Sequence, residues 1–408
     1  MSCIRMNKAS LLLPGNSKQY KKEEEAMKEV AIIGAGIHPF GRFENESYIQ
    51  IGQYAARAAL KDAGVDWKDI QAAYCSTQYL PSTVGPKILK PFGATGISII
   101  DMEAACASGG AVLRQAMLGI QSGAIEIALV LGIEKMPRGF MDPLQIYYPW
   151  QVDMGMSTNP SYWAMRARRH MHEYGTTDEQ IAKVAYKNHK NSVHNPNSMY
   201  RKEFSMEEIL GSKIVCDPIH LFEICAPNEG AAAMILCAKD VAHKYSSRKP
   251  ITVASCIHTL ATYSADFRCP IDSMSATITP PGPTEVTAKK AYEAAGMSPE
   301  DINCYEVQDT DAFCELEIYE ELGLCQYGEA GRLIDEGVTE INGKFPVNMD
   351  GGVISKGEPV GASHLGQLYE LILQLRGQAG VRQVKNVKAG LAHVLGASGN
   401  CAVTILKN

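Results

Sequence analysis

The chain of 408 residues lacks several features that mark special classes of protein. It has no apolar run near the roughly 18 residues of a membrane-spanning helix, so a transmembrane protein is not expected. Basic residues are not in excess, because the net charge is −6, and this excludes a general nucleic-acid or membrane-surface binder. The 12 cysteines are scattered, without a CxxC pair or a Cys/His cluster at metal-ligand spacing. We therefore expect reduced thiols in the cytoplasm, with neither a disulfide framework nor a metal site.

Residues 1–26 differ in character from the rest of the chain. Their short leucine run is too brief for the core of a signal peptide, and a charged run follows it at residues 21–25. A Lys-Glu-Glu string before Met27 is what a purine-rich ribosome-binding sequence gives when it is translated by mistake. We predict that Met27 is the true start and that residues 1–27 are a disordered or mistakenly translated extension.

Strands alternate with helices along the remaining chain, which predicts an α/β fold of mixed or parallel sheets covered by helices. The first elements are a strand at residues 30–33, a Gly/Pro turn, and an amphipathic helix over about residues 49–63 that ends at Gly64. Residues 59–70 reappear at 291–302 with Ala, Ala, Gly, Asp and Ile at a constant offset. This repeat indicates two similar α/β halves.

The two halves are expected to divide at the Pro-Pro-Gly-Pro group of residues 280–283, giving halves over 28–279 and 280–408. Residues 137–215 interrupt the strand–helix rhythm and are predicted to form an inserted lid of helices and loops. Its aromatic side chains form a well-packed lid or an acyl pocket for a bulky group, and the two are not exclusive. These residues are Phe140, Tyr147, Tyr148, Trp150, Tyr162 and Trp163.

Gly34-Ala35-Gly36 is a GxG motif without a third glycine and without an acidic residue at dinucleotide spacing. Pro39 disfavours a helix directly after it. We therefore assign no nucleotide cofactor to this motif, and no tightly bound cofactor is expected.

Cys106 is the candidate nucleophile among the cysteines. It lies between an apolar strand-like run and an alanine-rich helix, with alanines on both sides and Ser108 following. Small neighbours let a substrate carbonyl approach the sulfur, and a helix N-terminus favours a thiolate. The alternative is a small buried thiol packed at a strand–helix junction, and spacing alone leaves both open.

Three polar or glycine-rich loops are predicted at strand ends elsewhere in the chain. They occupy residues 306–313, residues 348–364, and residues 391–399. The second precedes an amphipathic helix that ends near Gly377. Together with Cys106, these loops contain the kinds of groups that acyl transfer requires.

With these motifs, the chain from about residue 28 to 408 resembles the thiolase superfamily, and within it the sterol-carrier-protein or lipid-transfer type. Residues 105–110 match the nucleophile loop of that family, Asn195-Pro196 its loop domain, and residues 230–233 its core helix. The resemblance implies the five-layered αβαβα thiolase fold with an inserted loop domain, usually as a homodimer or a dimer of dimers. It also implies coenzyme A as co-substrate, and thiolytic cleavage or Claisen condensation through an acyl-cysteine.

The chain departs from the family pattern at its catalytic loops. The Gly-His-Pro loop has Glu358 in place of the histidine that activates the nucleophile. The His-Asp-Cys-Phe loop is Gln308-Asp309-Thr310-Asp311, which lacks both the histidine and the acid/base cysteine. The Cys-x-Gly of classical thiolases is absent as well, and His393 precedes the glycine turn at Gly396.

A carboxylate beside Cys106 is expected to raise the pKa of the thiol and oppose thiolate formation. Two solutions are open. Glu358 is partly protonated in a dry site, or it is the base that acts on the acyl carbon or the incoming thiol, as in condensing enzymes with a glutamate base. Cys106 then receives help from the helix N-terminus and from His393, whereas His364 is expected on the following helix.

The resemblance also implies how the rest of the site is built. Gln308 is expected to donate its amide N–H to the thioester oxyanion, together with backbone N–H groups near Cys106 and Gly396. Gly230, Ser363 and Gly396 are expected to contact coenzyme A. A small zinc-binding OB-fold protein is the partner that this type of thiolase implies.

We therefore predict a coenzyme-A-dependent, thiolase-like acyltransferase in which Cys106 attacks a β-keto thioester and coenzyme A accepts the acyl group. The aromatic lid and the altered motifs point to an aromatic or branched β-keto acyl-CoA, such as benzoylsuccinyl-CoA. One alternative is aldolase-like carbon–carbon cleavage or transfer to a non-CoA acceptor. The other is a non-catalytic subunit that binds acyl-CoA or lipid.

Overall fold

The structure, a computed structural model, describes residues 27–139, 141–145, 147–155, 158–260 and 281–408. Its strands are β1 (Val30–Gly41), β2 (Ala72–Ser76), β3 (Ser98–Met102), β4 (Ile127–Lys135), β5 (Ile214–Cys216), β6 (Ile219–His220), β7 (Glu229–Ala238), β8 (Ile251–Thr259), β9 (Cys304–Glu306), β10 (Ala389–Leu395) and β11 (Cys401–Lys407). Its helices are α1 (Tyr48–Ala63), α2 (Val84–Leu89), α3 (Ser108–Gln121), α4 (Pro149–Asp153), α5 (Asn159–Tyr174), α6 (Asp178–Ser192), α7 (Met206–Leu210), α8 (Ala242–Tyr245), α9 (Pro283–Ala295), α10 (Ala312–Glu321), α11 (Ala330–Asp335), α12 (Gly352–Lys356) and α13 (Ser363–Arg376).

The repeated segment has the same conformation in both halves of the chain. Helix α1 begins at the cap residue Ser47 and ends at Gly64, which is left-handed with φ 73°. Helix α9 ends in the same way at Gly296, with φ 63°. Each helix leads into a strand of the sheet, β2 after α1 and β9 after α9. The predicted first helix and its glycine end are confirmed.

The main sheet has the strand order β3-β2-β4-β7-β1-β8-β11-β10-β9. In the first half, β2 and β4 are parallel, while β4–β7 and β7–β1 are antiparallel. Strands β8 to β11 repeat this pattern, with β9 and β10 parallel and with β10–β11 and β11–β8 antiparallel. In the sheet, β8 therefore belongs with the second half, although it precedes the predicted division at residues 280–283. The two sets of strands meet where β1 pairs with β8 over two residue pairs.

Helices cover the sheet in layers. Helices α3 and α13 pack against each other and against strands of both halves, so they form the central layer. Helix α1 packs on the outer face of the first half, and α9 packs on β8 and β11 of the second. Leucine, isoleucine, valine and alanine side chains of the central helices and both halves share one buried core. The five-layered αβαβα thiolase fold is confirmed.

The segment between β4 and β5 carries α4 to α7, as expected for the inserted lid. Helix α6 makes the most extensive contacts of this segment with the C-terminal half, where it packs on α10, α11 and α12. Residue 280 and residues 1–26 lie outside the described residues, so the division between the halves and the predicted extension stay predictions. Across the described ranges, none of the helices has the length and hydropathy to cross a membrane.

Two predictions of local structure are wrong. Residues 230–233, expected in a core helix, lie in the buried strand β7. Residues 34–36, expected in a turn, lie within β1, which continues to Gly41. A Cβ on Gly34 would lie 2.5 Å from the Ala59 carbonyl oxygen, and one on Gly36 2.4 Å from that of Ala55. Glycine is required there because α1 packs directly on the strand.

Candidate active site

Cys106 lies in a tight turn between β3 and α3. Ala105 has φ 51°, a left-handed conformation that costs a residue with a Cβ roughly 1–2 kcal/mol. Ser108 holds this turn, because its hydroxyl accepts the N–H of Ala104 at 2.7 Å and donates to the carbonyl of Ala105 at 2.5 Å. Cys106 is thereby placed just before α3, as predicted, with its side chain partly accessible.

Four polar groups act on the sulfur of Cys106. They are the side chain of Gln308, the carboxyl group of Glu358, and the backbone N–H groups of Cys106 and Ala397. Burial, followed by the charge of Glu358, raises the pKa of Cys106, and the hydrogen bonds offset only part of that shift. Desolvation therefore opposes the thiolate that the helix N-terminus would favour, and the charge of Glu358 acts in the same direction as desolvation.

Glu358 lies between α12 and α13 and is 5% exposed. Its Oε1 accepts a hydrogen bond from Nε2 of Gln308, and its Oε2 accepts one from the thiol of Cys225 at 2.9 Å. Burial raises the pKa of Glu358, while hydrogen bonds from Cys225, Gln308 and Cys106 lower it by a smaller amount. A carboxyl group whose pKa is shifted towards neutral pH is a better general base than an exposed one.

Gln308 follows β9 and is 1% exposed. Its Oε1 accepts the backbone N–H of Leu395 at 2.8 Å, which fixes the orientation of the amide. The NH₂ group must then face Glu358 and Cys106. The structure therefore brings Cys106, Glu358 and Gln308 together, as the sequence predicted.

The structure contradicts the predicted help from His393. This residue is fully buried on β10, and its Nε2 bonds to Oγ1 of Thr284 at 2.9 Å. Burial lowers its pKa to about 3, so the imidazole is neutral. Among the described residues, no contact joins it to Cys106. His364 lies on α13, as expected, where its Nε2 bonds to Thr404 at 2.9 Å and burial lowers its pKa to about 4.

Gly396 lies against the backbone of the nucleophile. A Cβ at this position would be 2.8 Å from the nitrogen of Cys106, so glycine is needed for the close approach. The N–H of Gly396 donates to the carbonyl of Asn400 at 2.6 Å. The backbone N–H groups that act on the sulfur are those of Cys106 itself and of Ala397, the residue next to Gly396.

Gly230 and Ser363 are not placed to contact coenzyme A, and this corrects their predicted role. Gly230 is buried in β7, where a Cβ would lie 2.3 Å from Cδ1 of Phe40. Ser363 is 1% exposed at the start of α13, and its hydroxyl donates to the carbonyl of Pro359 at 3.2 Å. Both positions serve internal packing.

Sequence reasoning missed two residues of the site. Cys225 donates to Glu358 and is partly accessible, but the sequence gives it no motif of its own. Tyr79 lies in the loop after β2, but the internal repeat pairs Ser76 with Gln308, so no sequence signal indicated Tyr79. Burial raises the pKa of Tyr79, and the charges of Cys106 and Glu358 contribute. Its hydroxyl accepts from Nε2 of Gln78 at 3.0 Å and donates to Sδ of Met141. The loop is held by Glu134, whose carboxylate accepts the hydroxyl of Thr77 and the backbone N–H groups of Gln78 and Tyr79.

The aromatic residues of the inserted segment divide into two groups. Tyr147, Tyr162 and Trp163 are buried, and the rings of the last two pack edge to face with centroids 5.0 Å apart. Tyr148 and Trp150 are exposed. Phe140 lies outside the described residues. These positions fit the packed lid.

The site therefore combines two thiols, a carboxyl group and an amide. This set can form a covalent thioester and transfer protons beside it. Within the described part of the chain, no three His, Cys, Asp or Glu side chains are arranged to hold a metal ion.

Two family descriptions match the chain. Residues 30–240 match "Thiolase, N-terminal domain", and residues 271–408 match "Thiolase C-terminal domain-like". An acetyl-CoA acetyltransferase of Methanothermobacter thermautotrophicus is 35% identical, over 92% of this chain and 98% of that protein. Human sterol carrier protein 2 is 34% identical, over 94% of this chain and 73% of that protein.

Two further similarities concern assemblies. The benzoylsuccinyl-CoA thiolase subunit BbsB of Thauera aromatica is 33% identical, over 92% of this chain and 96% of that protein. A solved structure titled "Ltp2-ChsH2(DUF35) aldolase" superimposes with a TM-score of 0.81 at 23% identity, over 93% of this chain and 98% of that one. At 23% identity, the similarity to this second protein shows a shared fold and nothing more.

Proposed function

This chain belongs to the thiolase family, and it is an acyltransferase that acts on acyl-CoA. From this premise we propose the reaction that it catalyses. The proposed reaction is thiolytic cleavage of a β-keto acyl-CoA, or the reverse Claisen condensation, through an acyl-Cys106 intermediate. The observation that carries it is the contact between the thiol of Cys106 and the buried carboxyl group of Glu358.

In the first step, Glu358 takes the proton of Cys106 as the sulfur attacks the keto carbon. The raised pKa of the thiol means that the proton leaves during attack rather than beforehand. The amide of Gln308 and the N–H of Ala397 already face the sulfur, so they are the donors proposed to stabilise the developing oxyanion. The C2–C3 bond then breaks, C2 gains a proton, and Glu358 is again a carboxylate. Coenzyme A attacks acyl-Cys106, its thiol proton passes to Glu358, and Glu358 returns a proton to the departing sulfur of Cys106.

The test is the mass of the intact protein after incubation with acetoacetyl-CoA. Wild type should gain one acyl group, located on the peptide that contains Cys106, and Cys106→Ala should gain none. Glu358→Gln should lower turnover by about 10²- to 10⁴-fold, the usual contribution of a general base. The exposed Glu336→Gln is the matched control and should leave turnover unchanged. Full activity in Cys106→Ala would overturn the proposal and favour aldolase-like cleavage.

The acyl substrate is proposed to be aromatic, as the name of the BbsB relative indicates for that protein. Tyr79 supports this class, because the charges of Cys106 and Glu358 act on its phenol and its ring could pack against an aromatic acyl group. The test compares kcat/KM for acetoacetyl-CoA with that for a β-aryl β-keto acyl-CoA. A preference for acetoacetyl-CoA in both wild type and Tyr79→Phe would contradict this substrate class.

We further propose a homodimer that pairs at strand β3. This strand forms one edge of the main sheet and exposes 44% of Ile100, whereas β9 at the other edge is buried. An open edge strand is a template for pairing with another chain. Light scattering after size-exclusion chromatography should give a dimer, or a dimer of dimers, for wild type and a smaller species for Ile100→Lys. A wild-type monomer would refute this.

A small zinc-binding OB-fold partner is the last proposed component. Its support is that BbsB is named as a subunit and that the Ltp2 structure names a second component. Co-expression with the neighbouring genes and purification of the complex should yield a zinc-containing partner. Full turnover by the isolated chain would show that no partner is needed.

A further inference from the structure

We propose that Cys225 is a second acid–base residue of the site, and that its thiol exchanges a proton with the α-carbon (C2) of the acyl-CoA. This inference rests on the proposed function, because it assigns the proton transfer that the proposed cleavage leaves without a donor. It is carried by the contact of Cys225 with Glu358 and by the different exposure of the two side chains.

The carboxyl group of Glu358 is enclosed by its hydrogen-bond donors. Gln308 occupies Oε1, Cys225 occupies Oε2 at 2.9 Å, and Cys106 makes a third contact. Glu358 and Gln308 are 5% and 1% exposed, whereas both cysteines are partly accessible. Of these four residues the two cysteines are the more exposed, so they are the ones proposed to meet a substrate carbon.

Thiolytic cleavage needs proton transfer at two places. The sulfur of Cys106 loses a proton on attack, and C2 gains one when the C2–C3 bond breaks. Glu358 contacts the sulfur of Cys106. For proton transfer at C2, the loop from Gln308 to Asp311 offers no cysteine. Cys314 is 1% exposed, and its thiol donates to the Gln308 carbonyl.

Cys225 is held in place by the same loop. Its N–H donates to the carbonyl of Thr310 at 2.9 Å, and Ile224 and Asp311 form an antiparallel bridge beside it. The segment then pairs with the main chain at Glu358, whose N–H donates to Ala226 at 3.1 Å. Cys225 therefore has a fixed position relative to both Gln308 and Glu358.

The proton transfers balance. Cys106 gives its proton to Glu358 as the S–C3 bond forms. When C2–C3 breaks, the thiol of Cys225 gives its proton to C2, and the resulting thiolate takes the proton from Glu358. The products are acyl-Cys106 and the shortened acyl-CoA, with Cys225 again a thiol and Glu358 again a carboxylate. Burial and the charge of Glu358 raise the pKa of Cys225, so the acid is protonated before the reaction.

The test separates chemistry at C2 from acylation of Cys106. Exchange of the C2 hydrogens of acetyl-CoA in deuterium oxide reports the first. The adduct that acetyl-CoA leaves on Cys106 reports the second, because acyl transfer from this thioester breaks no carbon–carbon bond. In Cys225→Ala and Cys225→Ser, exchange should fall by about 10²-fold or more, while the adduct forms within about threefold of the wild-type rate. Cys216→Ser, a partly exposed cysteine on β5, is the matched control and should behave as wild type.

The serine variant distinguishes an acid from a positioning residue. Its hydroxyl keeps a hydrogen bond to Glu358 but is too weak an acid to replace the thiol. Wild-type exchange in Cys225→Ser, or in Cys225→Ala, would overturn the inference, as would loss of the adduct in either folded variant. If wild type itself forms no adduct, the proposed function fails, and this result is distinct from normal acylation with normal exchange in the variants.

Discussion

Replacing Glu358 by Gln should make Cys106 a faster nucleophile towards small reagents while it stops turnover. The charge of Glu358 is, after burial, the largest cause of the raised pKa of Cys106. Above the raised pKa of Glu358 itself, the native carboxylate opposes ionisation of the thiol. The variant removes that charge and leaves burial in place, so the pKa of Cys106 should fall without reaching the range of an activated thiol.

The size of the effect follows from electrostatics. Two charges about 4 Å apart interact by about 4 kcal/mol at an effective dielectric constant of about 20, which corresponds to about three pKa units. The thiolate fraction at fixed pH then rises about 10³-fold. A less basic thiolate is a weaker nucleophile, with a Brønsted coefficient of about 0.4–0.5, so the net gain in alkylation rate is about 30-fold.

The assay is alkylation of Cys106 by iodoacetamide at about pH 9, followed on its own peptide by mass spectrometry. Peptide resolution is needed because Cys225 is also partly accessible. Glu336→Gln should react as wild type does. An unchanged or slower rate in Glu358→Gln would refute the conclusion that the carboxylate holds Cys106 as a thiol.

Three other predictions address the turn, the glycine contact and the buried histidine. Ser108→Ala removes both hydrogen bonds that hold the Ala105 turn, so urea unfolding should show a loss of about 1–3 kcal/mol, and acylation of Cys106 should slow. Gly396→Ala would put a methyl group 2.8 Å from the Cys106 nitrogen, and rapid-quench measurements should show acylation reduced by about 10²-fold. The pKa of His393 falls from an ordinary value of about 6.5 to about 3 in the folded protein, so its stabilising effect is complete above about pH 6.5 and is lost as the pH falls towards 3. The free energy of unfolding in urea should therefore decrease less for His393→Gln than for wild type when the pH is lowered from about 7 to about 4. An identical pH dependence would contradict the burial of a neutral ring.

Local signals predicted the parts of the fold that local physics decides. The amphipathic period and a terminal glycine gave α1 and α13, because Gly64 and Gly377 take the left-handed conformation that ends a helix. Residues 230–233 were predicted wrongly, because the helix was taken from the family resemblance, whereas their position between β1 and β4 makes them a strand. Gly34 looked like a turn residue, but it is required by the close approach of α1.

The candidate site was predictable only where a motif identified it. Cys106, Glu358 and Gln308 lie in loops with characteristic sequences, and the structure brings them together. Cys225 could not be predicted, since its role depends on contacts between loops more than 80 residues apart in the sequence. His393 was misassigned because its sequence position near the glycine turn does not reveal that its ring faces Thr284.

The central claim is that the reaction passes through acyl-Cys106, and a rapid-quench experiment tests it most directly. Wild type is mixed with acetoacetyl-CoA, quenched at intervals and analysed for the acylated peptide, and coenzyme A is then added in a chase. The intermediate should form at least as fast as turnover and should disappear on the chase at a rate no slower than kcat. Turnover without the adduct, or an adduct that coenzyme A does not discharge, would contradict the account.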